Sequence, residues 1–156
     1  MVRFLQLVAD CPRRGVAPGD PVLEQGQVAA PMMVLIEGEV EILRDNVRVA
    51  TTSEAGAVFG EMSALLGTAC TATVRALKTS TFAVVENPDE FLRVSPVATL
   101  HVARMLAQRL DTLNRYLVDV KAQYEGHDHL GMVDEVLETL MHRQPRVDPS
   151  PSRPVE

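Results

Sequence analysis

Phe59-Gly60-Glu61-Met62-Ser63-Ala64-Leu65-Leu66-Gly67-Thr68-Ala69-Cys70-Thr71-Ala72-Thr73-Val74 is the stretch on which the reading of this chain turns. A glycine opens a turn, a carboxylate follows it, a run of small and apolar residues suits a short helix, and Gly67 leads to a β-branched strand. That is the layout of a phosphate cradle. Amides at the start of a helix have no partner within the helix and carry the positive end of its dipole. Gly60 lets a ligand approach that backbone closely.

The residues on either side extend the pattern. From about 15 to 87 the apolar runs are short: Val22-Leu23, Met33 to Ile36, Val40 with Ile42, Val47 with Val49, Thr71 to Ala76 and Phe82 to Val85. Turn formers separate them at Pro18-Gly19-Asp20, Gly26, Gly38, Asp45-Asn46 and Gly56. Closely spaced short strands of this kind predict a sandwich or a barrel-like roll. Before them, Phe4, Leu5 and Val8 stand at helical spacing and the pattern stops at Cys11-Pro12, which predicts one short amphipathic helix over residues 1–11.

Beyond Pro88 the period becomes helical. Ala103, Leu106, Leu110, Leu113, Leu117, Val120 and Tyr124 alternate steps of three and four, an uninterrupted heptad stripe within a helix predicted over 96–124. Such a stripe must be covered, either by the chain's own β-roll or by the same helix of a second subunit. Leu130, Val133, Val136, Leu137, Leu140 and Met141 predict a further amphipathic helix over 130–143. Residues 144–156 are rich in proline, contain no core-forming run, and are expected to be a disordered tail.

Composition narrows the function. A length of 156 residues allows one domain with a real core and an appendage. A net charge of −6 without a basic run argues against a nucleic-acid surface, which needs clustered Lys and Arg. No apolar stretch approaches the roughly 20 residues of a membrane span, and the amino terminus lacks a signal-peptide layout, so a cytoplasmic location without membrane association is expected. The two cysteines, Cys11 and Cys70, form no disulfide framework. No enzyme is expected. The strands of the roll carry no histidines for a metal site, the first histidine being His101, and His127-Asp128-His129 reads as a solvated connector. A nucleophile elbow and a Gly-x-x-x-x-Gly-Lys phosphate loop are both missing from the sequence.

Taken together, these residues resemble a cyclic nucleotide-binding domain. They are the β-roll, Leu35-Ile36-Glu37-Gly38-Glu39-Val40-Glu41 in its middle, Phe59-Gly60-Glu61 opening a helix, Ala72-Thr73-Val74-Arg75-Ala76 returning as a strand, and a long helix behind. The likeness is to the sensor domains of the bacterial catabolite activator group and covers about residues 15–122. It implies a mainly β fold with flanking helices, a double-stranded β-helix jelly roll (β-roll) followed by a long C-terminal helix, occupying residues 1–125. The winged DNA-binding module of that group has no counterpart here. The resemblance therefore implies a regulatory module that dimerises through the 96–124 helix and signals through an effector protein.

The same resemblance implies a site. Its ligand would be cyclic AMP or cyclic GMP, with no separate cofactor. Glu61 matches a glutamate that accepts the ribose 2′-hydroxyl, and Arg109 matches an arginine that pairs with that glutamate. Phe59, Gly60, Glu61, Met62 and Ser63, together with Thr71 and Ala72, match positions around the cyclic phosphate. A threonine at position 71 can also favour guanine, though an ordinary strand residue accounts for it as well. Asn114 falls where the long helix reaches the base, and it equally suits a polar place on a dimer seam.

Cys70 departs from the pattern, because the family places an arginine there to grip the phosphate through its fork of donors. A charge-assisted hydrogen bond contributes about 1.5–3 kcal/mol, so its loss should weaken phosphate binding roughly ten- to a hundredfold. Arg75 matches no phosphate contact. The alternative expectation is a ligand-free dimerisation or interaction module on the same fold. A thiol beside a helix start can also have a lowered pKa, which would make Cys70 a redox sensor.

Overall fold

The computed structural model describes residues 2–123 and 131–142. The chain divides into two compact units, residues 1–105 and 106–156. The 144–156 tail, Tyr124 and the His127-Asp128-His129 connector lie outside the described residues.

The first unit is a roll of eight short antiparallel strands. They are β1 (Arg13–Val16), β2 (Pro21–Leu23), β3 (Met32–Glu37), β4 (Val40–Arg44), β5 (Val47–Thr52), β6 (Val58–Phe59), β7 (Thr73–Ala76) and β8 (Ser80–Val85). They form two four-stranded sheets, ordered β1-β8-β3-β6 and β2-β7-β4-β5. Neighbours in a sheet are mostly distant in sequence, as a jelly roll requires. The β4–β5 hairpin is tight because Asp45 and Asn46 both adopt positive φ, 51° and 61°. That matches the right-handed twist of the flanking strands, and Asn and Asp tolerate it best after glycine.

Both sheets contribute to one core. Val16, Met33, Leu35, Phe59, Phe82 and Val84 come from the first sheet, and Val22, Leu23, Val40, Val74 and Ala76 from the second. Phe59 meets Phe82 edge to face at 6.4 Å. Each such side chain, fully buried, contributes about 1.5–3 kcal/mol. The strand β3 lies between two neighbours and is buried on both faces through Met32, Met33, Val34 and Leu35.

Helices flank the roll: α1 (Val2–Leu7), α2 (Glu61–Leu66), α3 (Pro88–Val94) and the start of α4 (Pro96–Gln123). Phe4 of α1 stacks on His101 of α4 with centroids 4.1 Å apart and planes within 9°. Phe4, Val8, Ala98 and Val102 are all buried there. Pro88 stands in the first turn of α3, where its missing N–H costs nothing. Pro96, which cannot continue a helix from the residue before it, separates α3 from α4.

The second unit contains the rest of α4 and α5 (Gly131–His142). Among the described residues, no helix is long and apolar enough to cross a membrane.

The elements differ from expectation in four places, three in strands and one in a helix. The strand β1 was absent from the apolar pattern because Arg13, Arg14 and Gly15 are exposed and only Val16 points inward. The strand β6 has two residues, too few for a period. The strand expected from Thr71 begins at Thr73, with Thr71 and Ala72 in the bend before it. The helix expected over residues 1–11 is described from Val2 and ends at Leu7, with Val8 to Cys11 in the turn that follows.

Candidate functional site

The site is built at the end of β6, where pairing of Val58 with Val34 and Phe59 with Met33 delivers the chain to the edge of the first sheet. Gly60 then turns it with φ 84° and ψ 1°. A Cβ at this position would lie 2.8 Å from the Pro31 carbonyl oxygen and 3.3 Å from Leu23 Cδ1. Glycine is therefore required twice over, by the left-handed backbone and by the space.

The short helix α2 starts at Glu61, which is buried at 3% exposure. The first amides of a helix, here those of Glu61, Met62 and Ser63, do not bond back within the helix itself. The Ala64 N–H donates to the Gly60 carbonyl oxygen at 3.2 Å, the first bond back across the turn. Ser63 is buried, and its hydroxyl donates to the Thr68 carbonyl oxygen at 2.5 Å. Gly67 ends the helix with φ 65°. Met62 is 41% exposed and turns away from the buried side of α2.

The chain returns past the cradle through residues 68–72. The peptide of Cys70 is fixed on both sides: its N–H donates to the Gln27 carbonyl oxygen at 2.9 Å, and its carbonyl oxygen accepts from Gly26 N–H at 2.8 Å. Gln25 anchors the same turn. Its N–H donates to Thr73 Oγ1 at 3.0 Å, while its side chain exchanges two 2.9 Å hydrogen bonds with Asp45 at the tip of the β4–β5 hairpin. Position 70 is thus placed by backbone bonding that does not depend on its side chain.

The Cys70 side chain is buried and belongs to the core cluster. Burial pushes its pKa up; a hydrogen bond with Ser63 opposes this, and the nearby Glu61 carboxylate adds to it. The net direction is upward, against the lowered pKa that a redox-sensing thiol at a helix start would have. Ser63 and Glu61 are near enough to act on that thiol, so Glu61, Ser63 and Cys70 converge on one place.

Of the other expected site residues, Phe59 is buried beneath the cradle, Ala72 is half-buried and Thr71 is exposed in the bend. Arg109 and Asn114 belong to the second unit, on α4, where Asn114 borders a groove that Leu137 of α5 also lines. Arg75 is engaged elsewhere. It lies opposite Glu41 across β4 and β7, and its Nε donates to Glu41 Oε1 at 2.7 Å, while Arg48 holds the other carboxylate oxygen from β5. The Glu41 side chain is 5% exposed under these two arginines, and their hydrogen bonds, Arg75 first, hold its carboxyl below the usual range.

The sequence reading missed the 24–27 turn as the support of position 70. Gly26 was legible as a turn former, but its partner lies more than forty residues away. Among the described residues there is no group of three or more His, Cys, Asp or Glu side chains that could hold a metal ion.

Comparison with known proteins places this geometry. Residues 13–94 match the family model of the cyclic nucleotide-binding domain. Over 52 residues, 32% of this chain, the sequence is 44% identical to the cyclic nucleotide-gated channel beta-3 of Canis lupus familiaris, of which the match spans 7%. The catabolite activator protein of Thermus thermophilus superposes with a TM-score of 0.65 at 22% identity, over 78% of this chain and 60% of that one. A protein of a cyclic-GMP-dependent signalling pathway that regulates bacterial phytopathogenesis superposes with a TM-score of 0.59 at 21% identity, over 72% of this chain and 94% of that one. At these identities the structural likeness is one of fold. The chain spans less than two thirds of the channel and of the catabolite activator protein.

Proposed function

Because the chain belongs to the cyclic nucleotide-binding domain family, we propose that it is a non-catalytic regulatory module that binds cyclic AMP or cyclic GMP between α2 and the 68–72 return. The observation that carries this reading is the pairing of Gly60, left-handed and without room for a Cβ, with the buried Glu61 that follows it. In this reading the Glu61 carboxylate accepts a hydrogen bond from the ribose 2′-hydroxyl. The cyclic phosphate lies against the amides of Glu61, Met62 and Ser63, with Thr71 at the exposed rim. Phe59 and Ala72 shape the floor.

With cysteine at position 70, uncharged donors alone hold the phosphate. Affinity should then lie well below that of an arginine-containing site, since the charge-assisted bond is missing. Binding would shift the population of α4 positions, and two copies paired through residues 96–124 would pass that change to an effector protein in the cytoplasm. Neither nucleic acid nor membrane enters the reading. Calorimetric titration with each nucleotide tests it: saturable heat with either supports the module, and no heat up to about millimolar ligand, an affinity near −4 kcal/mol, contradicts it.

A second reading is favoured by the burial of the Cys70 side chain in the apolar cluster. It makes the chain a ligand-free dimerisation or interaction module. Partner capture that survives Glu61→Ala unchanged, together with silent titrations, would select it.

A further inference from the structure

The second unit carries apolar surface that nothing within it covers. None of its described residues is buried. On α4, Leu110 is 40% exposed and Leu113 45%; on α5, Val136 is 41% exposed and Met132 76%. The two helices nevertheless meet, since Lys121 near the end of α4 pairs with Asp134 near the start of α5. Between them lies a groove of about 490 Å³ lined by Asn114, Arg115, Val118, Asp119 and Leu137. Two helices sharing one open groove have no interior, and bundles reach one with three or four helices.

We propose that a second copy of this chain occupies this surface, so that α4 and α5 of two copies close a four-helix bundle. The proposal rests on the dimeric reading above and adds α5 to the seam. Two observations point to a second copy rather than an unrelated protein. The stripe Leu106, Leu110, Leu113, Leu117 and Val120 keeps a strict heptad spacing and so matches itself across a two-fold axis. Each copy also contributes two amphipathic helices, the number that a closed bundle lacks.

Charge sets the arrangement. Among its described residues α5 carries Asp134, Glu135 and Glu138 with no Lys or Arg. From Leu106 onward α4 carries Arg109, Arg115 and Lys121 against Asp111 and Asp119. Two α5 helices side by side would oppose like charges, whereas α5 beside α4 sets acid against base, as the Lys121–Asp134 pair already does within one chain. The two α4 helices therefore form the central pair, and each α5 lies against the α4 helices of both copies.

Sedimentation equilibrium of the full chain tests this, using wild type, Leu113→Asp, Val136→Glu and the double reversal Glu135→Lys with Glu138→Lys. Leu113 and Val136 are exposed in the single chain, so each variant should fold, and thermal melts of the roll verify that it does. The proposal expects a dimeric wild type and a dissociation constant at least about tenfold weaker in all three variants, because each alters a group that the seam covers. A dimer weakened by Leu113→Asp while both α5 variants behave as wild type overturns the bundle and leaves the α4 seam standing. A dimer sensitive only to the α5 variants overturns it equally. A monomer at about 100 μM overturns both this inference and the dimeric reading, and leaves nucleotide binding to be judged by its own titration.

Discussion

The Cys70 N–H donates to the Gln27 carbonyl oxygen at 2.9 Å, so the 24–27 turn places position 70 through its peptide alone. The backbone at position 70 is therefore held independently of its side chain, and an arginine there must turn its charged end out of the apolar cluster that Cys70 occupies. In that orientation Cys70→Arg should supply the fork of donors that the cradle lacks, and a thermal melt checks that the roll remains folded. Its affinity for cyclic AMP or cyclic GMP should rise roughly ten- to a hundredfold over wild type in calorimetric titration, the size of one charge-assisted bond. Equal affinity in the two proteins would mean that the phosphate does not sit beside residue 70.

The Cys70 thiol should be slow to react. Burial raises its pKa and Glu61 raises it further, so little thiolate exists near pH 7.5. Iodoacetamide labelling followed by mass spectrometry should modify Cys70 only after denaturation. Rapid native labelling would show that the pocket is open to solvent and the thiol activated.

Gly60→Ala should destabilise the roll by about 1–3 kcal/mol, combining a left-handed non-glycine residue with a contact 2.8 Å from the Pro31 oxygen. Gly67→Ala provides the comparison. Position 67 is also left-handed, but open space surrounds it, so only the backbone cost of about 1–2 kcal/mol applies. Denaturant midpoints should rank wild type above Gly67→Ala above Gly60→Ala.

Acid should weaken the Glu41 cluster. The folded carboxyl titrates below its ordinary value of 4.5, so the stability it contributes is present above that pH and is lost as pH falls through the lowered folded value. The arginines over it are half exposed, which screens the effect. Glu41→Gln should remove this part of the pH dependence, read as a shallower acid limb in thermal melts.

His101 should add a second acid-sensitive step at higher pH. Burial against Phe4 pushes its pKa below the ordinary 6.5, so the unfolded chain takes up the proton first and stability falls as pH drops below about that value. His101→Phe should keep the stack and lose this step. Phe4→Ala should cost about 3 kcal/mol through the cavity it leaves.

The central features were readable from local sequence. The strand runs, the Phe59-Gly60-Glu61 turn and the long heptad helix depend on neighbours within a few residues. What escaped depended on long-range pairing. Arg13 to Val16 becomes a strand because β8 lies alongside it, not because its residues alternate. The engagement of Arg75 depends on Glu41 standing opposite it in a different strand, and the placement of Cys70 depends on Gly26 and Gln27. Neither pairing leaves a periodic trace. The Cys70 substitution was visible at once, whereas its burial depended on the core around it.

The most direct test of the account is the position of amide resonances in the ¹⁵N-labelled full chain during titration with cyclic AMP and cyclic GMP. Binding in the cradle predicts saturable shifts concentrated on Gly60, Glu61, Met62, Ser63 and Thr71, with the Gly60 to Ser63 amides moving most. Spectra unchanged at these residues up to about millimolar nucleotide, or shifts confined to other parts of the chain, would contradict it.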